Sequence, residues 1–176
     1  MFRQLTFICT LLALILSLKA SVCPPLFTEV GKKCYYVGEE KVNWHVAFRK
    51  CDQLGGELMV LDDNEDRLLA TNFLKSQGYF ANDAWRVSVR VGIDCLGNRR
   101  NFLKSKNGEV PYLPWVPYDP NNYHPEEDCV GFAYFRESYG YMDFLCEHKA
   151  PYVCQHPKIK ERYVCLKKEQ FLEVLL

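Results

Sequence analysis

Residues 115–121 read WVPYDPN, residues 126–129 read EEDC and residues 141–146 read YMDFLC, and these three segments decide the fold. They bring four oxygen-bearing side chains into one short region of the chain: Asp119, Asn121, Glu127 and Asp143. Carboxylate and amide oxygens are the ligands that Ca²⁺ prefers, usually about six to eight of them. A proline between two ligands favours a tight turn with both side chains on one side. The pattern therefore predicts a calcium site on a loop that flanking cysteines fasten.

Two helices are predicted in the first half of the chain. Apolar residues recur at helical spacing from Asn43, and the glycines at residues 55–56 provide a stop. A second segment of the same kind is capped by Asp62 or by Asp63 and ends near Gly78. Both segments are long enough to be ordinary helices of a globular domain.

Strand patterns and loops make up the rest. Residues 23–37 carry paired prolines and a β-favouring run, which predicts a hairpin. Further short strand patterns lie at residues 86–93, 130–135 and 152–154. Residues 97–127 are rich in proline and long for a connection inside a domain, and such loops are often functional. Two helices followed by strands and loops indicate the α+β class.

The order of these motifs resembles the C-type lectin-like domain. The sugar site of that family uses a Glu-Pro-Asn or Gln-Pro-Asp triplet, a Glu before Asp-Cys, and a Trp-Asn-Asp triplet. In this chain residues 119–121 fall on the first triplet, Glu127 on the second element and residues 141–143 on the third. Further family marks are LGGEL at 54–58, RVGI at 90–93 and NGEVPYLPW at 107–115. The resemblance covers roughly residues 23–154.

This resemblance implies both a fold and a function. The fold is a C-type lectin-like one, with two helices packed on small antiparallel sheets and a long loop fastened by disulfides. The function is Ca²⁺-dependent recognition of glycans or glycoproteins, in which the same residues hold metal and sugar: Asp119, Asn121, Glu127 and Asp143. Since the Glu-Pro-Asn form accompanies mannose-type sugars in the family, and Asp119 keeps the charge of that Glu, mannose-type ligands are expected.

The sequence departs from the family pattern at several positions, and Tyr141, which replaces the Trp of the third triplet, is expected to be a core residue. Met142 stands where the family has an Asn that contacts metal and sugar, and a thioether is a poor ligand for Ca²⁺. Losing a contact of about 1.5–3 kcal/mol weakens binding roughly 10- to 150-fold. The alternative is a calcium-independent lectin-like module that binds a protein or an extracellular-matrix ligand. Arg90 stands where the family has a core Trp, which indicates either a shifted register or a repacked core.

Three regions divide the chain. Residues 1–20 have the basic start, short apolar core and small final residue of a signal peptide, and residues 21–156 form the C-type lectin-like domain. Residues 157–176 form a C-terminal extension, for which a docking helix and a frayed end both fit. The apolar core is shorter than the roughly 20 residues that span a membrane, so the signal is expected to be removed. We therefore expect a secreted, extracellular protein without membrane insertion.

The cysteine content agrees with export. Loss of the signal peptide leaves eight of the nine cysteines, an even number that favours disulfides in an exported chain. The family resemblance implies the pairs Cys23–Cys34, Cys51–Cys154 and Cys129–Cys146. The remaining two, Cys95 and Cys165, are predicted to pair with each other, with an intermolecular bond as the alternative.

Charge and motifs exclude other functions. Lysine plus arginine balances aspartate plus glutamate at 22 each, which argues against nucleic acid as a partner. The four histidines form no His-Glu-x-x-His motif, and the chain has neither a Gly-x-Ser-x-Gly motif nor a phosphate-binding loop. The sequence thus predicts a binding protein and not an enzyme.

Overall fold

The structure is a computed structural model that describes residues 23–84 and 86–158. The predicted signal peptide, Trp85, Cys165 and the extension after residue 158 lie outside the described residues. In the part that is described, no helix is both long and apolar enough to cross a bilayer.

Both predicted helices are present, and their ends follow local capping chemistry. Helix α1 spans Trp44–Gln53, and its N-cap Asn43 accepts a hydrogen bond from the Val46 amide at 3.0 Å. Helix α2 spans Asn64–Ser76. Of the two candidate caps it uses Asp63, which accepts from the Asp66 amide at 2.8 Å. A cap of this kind satisfies an amide that has no partner inside the helix.

Eight strands are found among the described residues, and they form one sheet. They are β1 Thr28–Val30, β2 Lys33–Val42, β3 Glu57–Leu58, β4 Val89–Asp94, β5 Leu103–Lys104, β6 Cys129–Phe135, β7 Ser138–Phe144 and β8 Ala150–Pro157. The main order is β1-β2-β8-β4-β6-β7, and every pair is antiparallel except β4 with β8. The two helices and this sheet confirm the predicted α+β class, and β8, which pairs with β2, β3 and β4, joins the strands into one mixed sheet.

Helix α1 packs against this sheet through its first residue. The Trp44 side chain is buried, and its Nε1 donates to the Val91 carbonyl in β4 at 2.8 Å. Cys51, in the last turn of α1, forms a disulfide bond with Cys154 in β8. A hydrogen bond and a covalent bond thus hold the two ends of α1 on neighbouring strands.

Three disulfides occur in the described part of the chain, and they are the pairs that the resemblance implies: Cys23–Cys34, Cys51–Cys154 and Cys129–Cys146. Cys95 is buried and has no disulfide partner among the described residues, so its pairing with Cys165 stays a prediction. Its Sγ donates to Asp128 Oδ1 at 3.2 Å, so the thiol faces an acid beside the long loop. The predicted partner Cys165 lies outside the described residues.

The register of β4 explains the unusual arginine. Arg90 pairs with Gly131 in β6 and with Tyr152 in β8, and its side chain is completely buried. Its neighbours Val89 and Val91 are buried as well, so both faces of β4 are covered at this position. The core is therefore repacked around a guanidinium group at this position.

Candidate functional site

The long loop begins on a rigid base. The Val116 amide donates to the Tyr141 carbonyl at 3.0 Å, and the Tyr141 amide donates to the Pro114 carbonyl at 2.8 Å. Tyr141 is fully buried, and its hydroxyl accepts from the Leu61 amide at 2.9 Å. The other end of the loop enters β6 at Cys129, whose disulfide to Cys146 joins it to the residues just after β7. Strand β7 therefore fixes both ends of the segment that carries the predicted site.

The first predicted triplet forms a compact turn. The peptide bond between Asp119 and Pro120 is cis, and Asn121 Nδ2 donates to Asp119 Oδ1 at 3.1 Å. Asn121 Oδ1 in turn accepts from the Tyr123 amide at 2.7 Å. The acid and the amide thus lie on the same side of the proline, which is the arrangement that the sequence predicts.

Asp143 in β7 anchors this turn. Its Oδ1 accepts from the Asn121 amide at 3.0 Å, and its Oδ2 accepts from the Asn122 amide at 2.8 Å. Burial opposes ionisation of Asp143, but hydrogen bonds from Arg100 and from the two amides outweigh it and hold the pKa of Asp143 below its usual value. Asp143 is therefore an ionised, buried carboxylate at pH 7.

A guanidinium group occupies the centre of the site, and the sequence interpretation did not include it. Arg100 forms an ion pair with Asp143 Oδ2. Its Nη1 donates to the Glu127 carbonyl at 2.6 Å, and its guanidinium lies 4.9 Å from the ring centre of Phe102. Arg100 thus links two of the predicted calcium-binding residues and brings a positive charge to the acid cluster.

Two other carboxylates have oxygens without partners. Asp119 Oδ2 and Glu127 Oε2 are buried, and no donor among the described residues reaches either of them. Burial, then hydrogen bonding to Asp143 and its charge, raise the pKa of Asp119 to about 7. Burial also raises the pKa of Glu127, although the backbone amides of His124 and Tyr123 oppose the shift. An incoming donor or cation would therefore find two buried oxygen acceptors here.

Met142 contributes no oxygen to the site. Its side chain is buried and packs with Val116, Ala133 and Phe144 in a small apolar cluster. The predicted departure at this position is thus a real change in chemistry, since apolar surface lies where the family pattern has an amide.

The four predicted ligands meet, but they do not fit a tight calcium site. Within residues 23–84 and 86–158, no group of three or more His, Cys, Asp or Glu side chains is arranged to hold a metal. Both oxygens of Asp143 already accept hydrogen bonds, and the side-chain oxygen of Asn121 accepts one from Tyr123. Ca²⁺ requires about six to eight oxygens, and the donor-free oxygens identified in this set are only Asp119 Oδ2 and Glu127 Oε2.

A cavity of about 460 Å³ opens beside the acid cluster. Its polar end includes Asn121, Glu127 and Asp143, and its other walls include Phe135, Met142, Phe144, Leu145 and His148. A volume in this range is typical of pockets for small organic ligands. Three of the four predicted sugar-binding residues therefore face a space that can hold a ligand, and Asp119 does not line it.

Exposed aromatic side chains stand at the rim of this face. Tyr118 and Tyr123 are 82% and 80% exposed. The guanidinium of Arg136 lies 4.7 Å from the Tyr118 ring centre, and the ring of His124 lies 4.8 Å from that of Tyr123. Tyr118 and Tyr123 present flat apolar faces to solvent, as a stacking contact requires.

The sequence and the fold resemble those of known proteins. The family model described as Lectin C-type domain matches residues 40–156. The chain belongs to the C-type lectin domain family. Membership agrees with the predicted α+β lectin fold, and because the proteins of this family are non-enzymatic binding proteins, this lectin-domain protein is not an enzyme.

Individual relatives extend the comparison. The lectin domain is similar to C-type lectin 37Db of Drosophila melanogaster, at 29% identity over 129 residues that cover 72% of this chain and 79% of the relative. Several further relatives are longer, and this chain spans 38% to 62% of their length.

Two solved structures illustrate the range of the fold. The carbohydrate-recognition domain of cow CD23, solved in the presence of a GlcNAc2Man3 oligosaccharide, has 28% identity and a TM-score of 0.63, covering 78% of this chain and 98% of its own. A calcium-independent type II antifreeze protein has 21% identity and a TM-score of 0.63, covering 81% and 99%. The second likeness concerns the fold alone.

Proposed function

We propose that this chain is a secreted lectin-like protein that binds glycans on glycoproteins without needing calcium. The ligand lies against Asp119, Asn121, Glu127 and Asp143. The observation that carries the proposal is the position of Arg100, whose guanidinium neutralises Asp143 and holds the Glu127 carbonyl. In this account residues 1–20 are removed on export, residues 21–156 bind the ligand and residues 157–176 are an appendage.

Arg100 supports the calcium-free form of this function for an electrostatic reason. A cluster of buried carboxylates is unfavourable unless a cation or protons balance the charge. Arg100 supplies a permanent positive charge, because a guanidinium does not lose its proton at physiological pH. It also leaves Asp143 free to hold the amides of Asn121 and Asn122, so the turn keeps its shape without metal.

The two buried carboxylate oxygens that lack a hydrogen-bond donor support a ligand rich in hydroxyl groups. A buried acceptor that lacks a donor costs free energy, and a sugar hydroxyl can remove that cost at Asp119 Oδ2 or Glu127 Oε2. Tyr123 can cover one face of the sugar ring. Similarity to the cow CD23 domain and to the fly lectin supports the same ligand class.

A second candidate is the calcium-dependent lectin with a preference for mannose-type sugars. The two donor-free oxygens of Asp119 and Glu127 favour it, since they are also suitable for a hard cation. The metal would then be held by Asp119, Asn121, Glu127 and Asp143, with Arg100 displaced from Asp143. Weak binding is expected, because Met142 adds no oxygen.

Binding of the secreted protein to an immobilised mannose-rich glycoprotein tests the proposal. The measurement is made after chelation with EGTA and again with added CaCl₂. We expect the unmodified protein to bind in EGTA and the variant Glu127→Gln to lose this binding. The matched control is Glu126→Gln, which changes the exposed neighbouring glutamate and should keep it. Binding that appears only with calcium would favour the second candidate. Absence of binding in both buffers would favour a protein ligand instead.

A further inference from the structure

Two departures from the family pattern, Met142 and Arg90, both affect one cavity, which Met142 lines and Arg90 does not. Met142 lines the 460 Å³ cavity directly, between the acid cluster and Phe144. Arg90 acts from behind it, since Nη2 donates to the Leu145 carbonyl at 3.0 Å and also to the His148 carbonyl. Leu145 and His148 both line the same cavity. One departure therefore supplies apolar surface, and the other holds the turn that forms a wall.

The burial of Arg90 requires an explanation of its own. Its Nε and Nη1 are buried without an acceptor among the described residues, and its guanidinium lies 5.4 Å from the Phe144 ring centre. Burial lowers the pKa of Arg90 to about 10, which leaves it charged at neutral pH. A buried, incompletely paired charge lowers stability. The two carbonyl contacts give it a structural use, because they fix residues 145–148 between β7 and β8.

The cavity is lined by both polar and apolar side chains. Asn121, Glu127 and Asp143, here called the polar end, are where the proposed function places the sugar, and Tyr123, His124 and Arg136 also line the cavity. Met142, Phe144 and Leu145, here called the apolar end, are apolar residues of the lining, and Leu145 is 37% exposed. A ligand that fills both ends must carry hydroxyl groups on one side and hydrocarbon on the other.

We infer that this cavity binds an alkyl substituent attached to the sugar, so that the preferred ligand is an amphiphilic glycoside. The inference rests on the proposed function and names its ligand class more closely. Met142 and Leu145 contact the alkyl chain, the acid cluster contacts the sugar, and Arg90 is a positioning residue that holds the Leu145 wall. Each methylene that leaves water for the apolar end strengthens binding by up to about fourfold.

Calorimetric titration with methyl and hexyl α-mannoside tests this inference, with hexyl mannoside kept below its micellar concentration. We expect hexyl mannoside to bind at least about tenfold more tightly than methyl mannoside, since several methylenes enter the cavity. Leu145→Asn should bring the ratio of the hexyl and methyl mannoside affinities down toward one. Leu68→Asn is the matched control, because Leu68 is also a half-exposed leucine but lies on α2 and does not line the cavity.

Arg90→Met tests the positioning role. It is expected to keep methyl mannoside binding while the ratio between the two glycosides falls toward one, a change that a general loss of stability would not produce. If Arg90→Met does not fold, Leu145→Asn still tests whether the cavity binds the alkyl chain.

The outcomes separate the two claims. Equal affinity for both glycosides in the unmodified protein overturns the alkyl subsite and leaves the glycan function standing. If neither glycoside binds, the glycan function fails. In that case 1-hexanol is added while the Leu145 methyl signals are followed by NMR. Shifted signals support an apolar site without a sugar, and unchanged signals overturn the cavity inference as well.

Discussion

Arg100 and Asp143 form an ion pair in which the Asp143 side chain is fully buried and the Arg100 side chain is 32% exposed. The same carboxylate accepts the amides of Asn121 and Asn122, so the pair stands at the base of the binding turn. A positive charge belonging to the chain is thus present where the resemblance implies a metal. The proposed calcium-independent function depends on this ion pair.

Removal of the Arg100 charge should destabilise the domain. In Arg100→Met the buried Asp143 loses its charge-assisted partner, and a contact of this kind is worth about 1.5–3 kcal/mol. The free energy of unfolding in chelator, from denaturant titration, should fall by about that amount. The matched control is Arg99→Met, which removes the same charge from the exposed neighbouring residue. Equal stability of the two variants would mean that the ion pair contributes nothing.

Asn at position 142 should not by itself restore a calcium site. Met142 is only 6% exposed and packs with apolar side chains, so Met142→Asn buries an amide without partners at a cost of about 1–3 kcal/mol. The volume-conserving control Met142→Leu should cost less than about 1.5 kcal/mol. A calcium titration by calorimetry should show gain of binding only when Met142→Asn is combined with Arg100→Met. Strong calcium binding by the single variant would contradict this expectation.

Asp119 should make stability depend on pH. Its pKa is raised to about 7 in the folded protein, from an ordinary value of 3.8, so the folded state binds more protons between these limits. The contribution of Asp119 to stability therefore decreases as pH rises from about 4 to about 7 and is constant above. Compared with the unmodified protein, Asp119→Asn should therefore be more stable at pH 8 than it is, by the same comparison, at pH 4. Thermal unfolding of both proteins across this range measures the difference, and a constant difference would refute the shift.

Cys95 should be inert in the native protein. Burial first, and then the hydrogen bond with Asp128, raise the pKa of this thiol to about 12, and a thiol rather than a thiolate reacts slowly. Iodoacetamide at pH 8 should label Cys95 only after unfolding, as peptide mass spectrometry can measure. A mapped peptide in which Cys95 is disulfide-bonded to Cys165 would instead restore the pairing that the sequence predicts.

Much of this fold follows from local sequence. The Asn43 cap, the Asp63 cap and the cis-proline turn each involve residues close together in the chain, and their side chains accept from backbone amides two or three positions away. Short-range chemistry of this kind is readable from residue types. The helices and the acid–amide turn were predictable for that reason.

Long-range contacts were not predictable in the same way. Arg100 pairs with a residue 43 positions later, across a loop without periodicity. The adjacent arginines 99 and 100 gave the only signal, and they do not indicate which one turns inward. Arg90 was visible as an anomaly, but its contacts with carbonyls 55 and 58 residues away depend on how β7 and β8 are connected.

We propose that Arg100, rather than calcium, orders the binding turn. NMR signals of the Asn121 and Asn122 amides, which both donate to Asp143, report on that turn directly. They are recorded in EGTA and then with CaCl₂ up to about 1 mM, the weak end of the range for extracellular calcium modules. If Arg100 orders the turn, the Asn121 and Asn122 amide signals should be sharp in EGTA and unchanged by calcium. Signals that are broad in EGTA and sharpen saturably with calcium would contradict it.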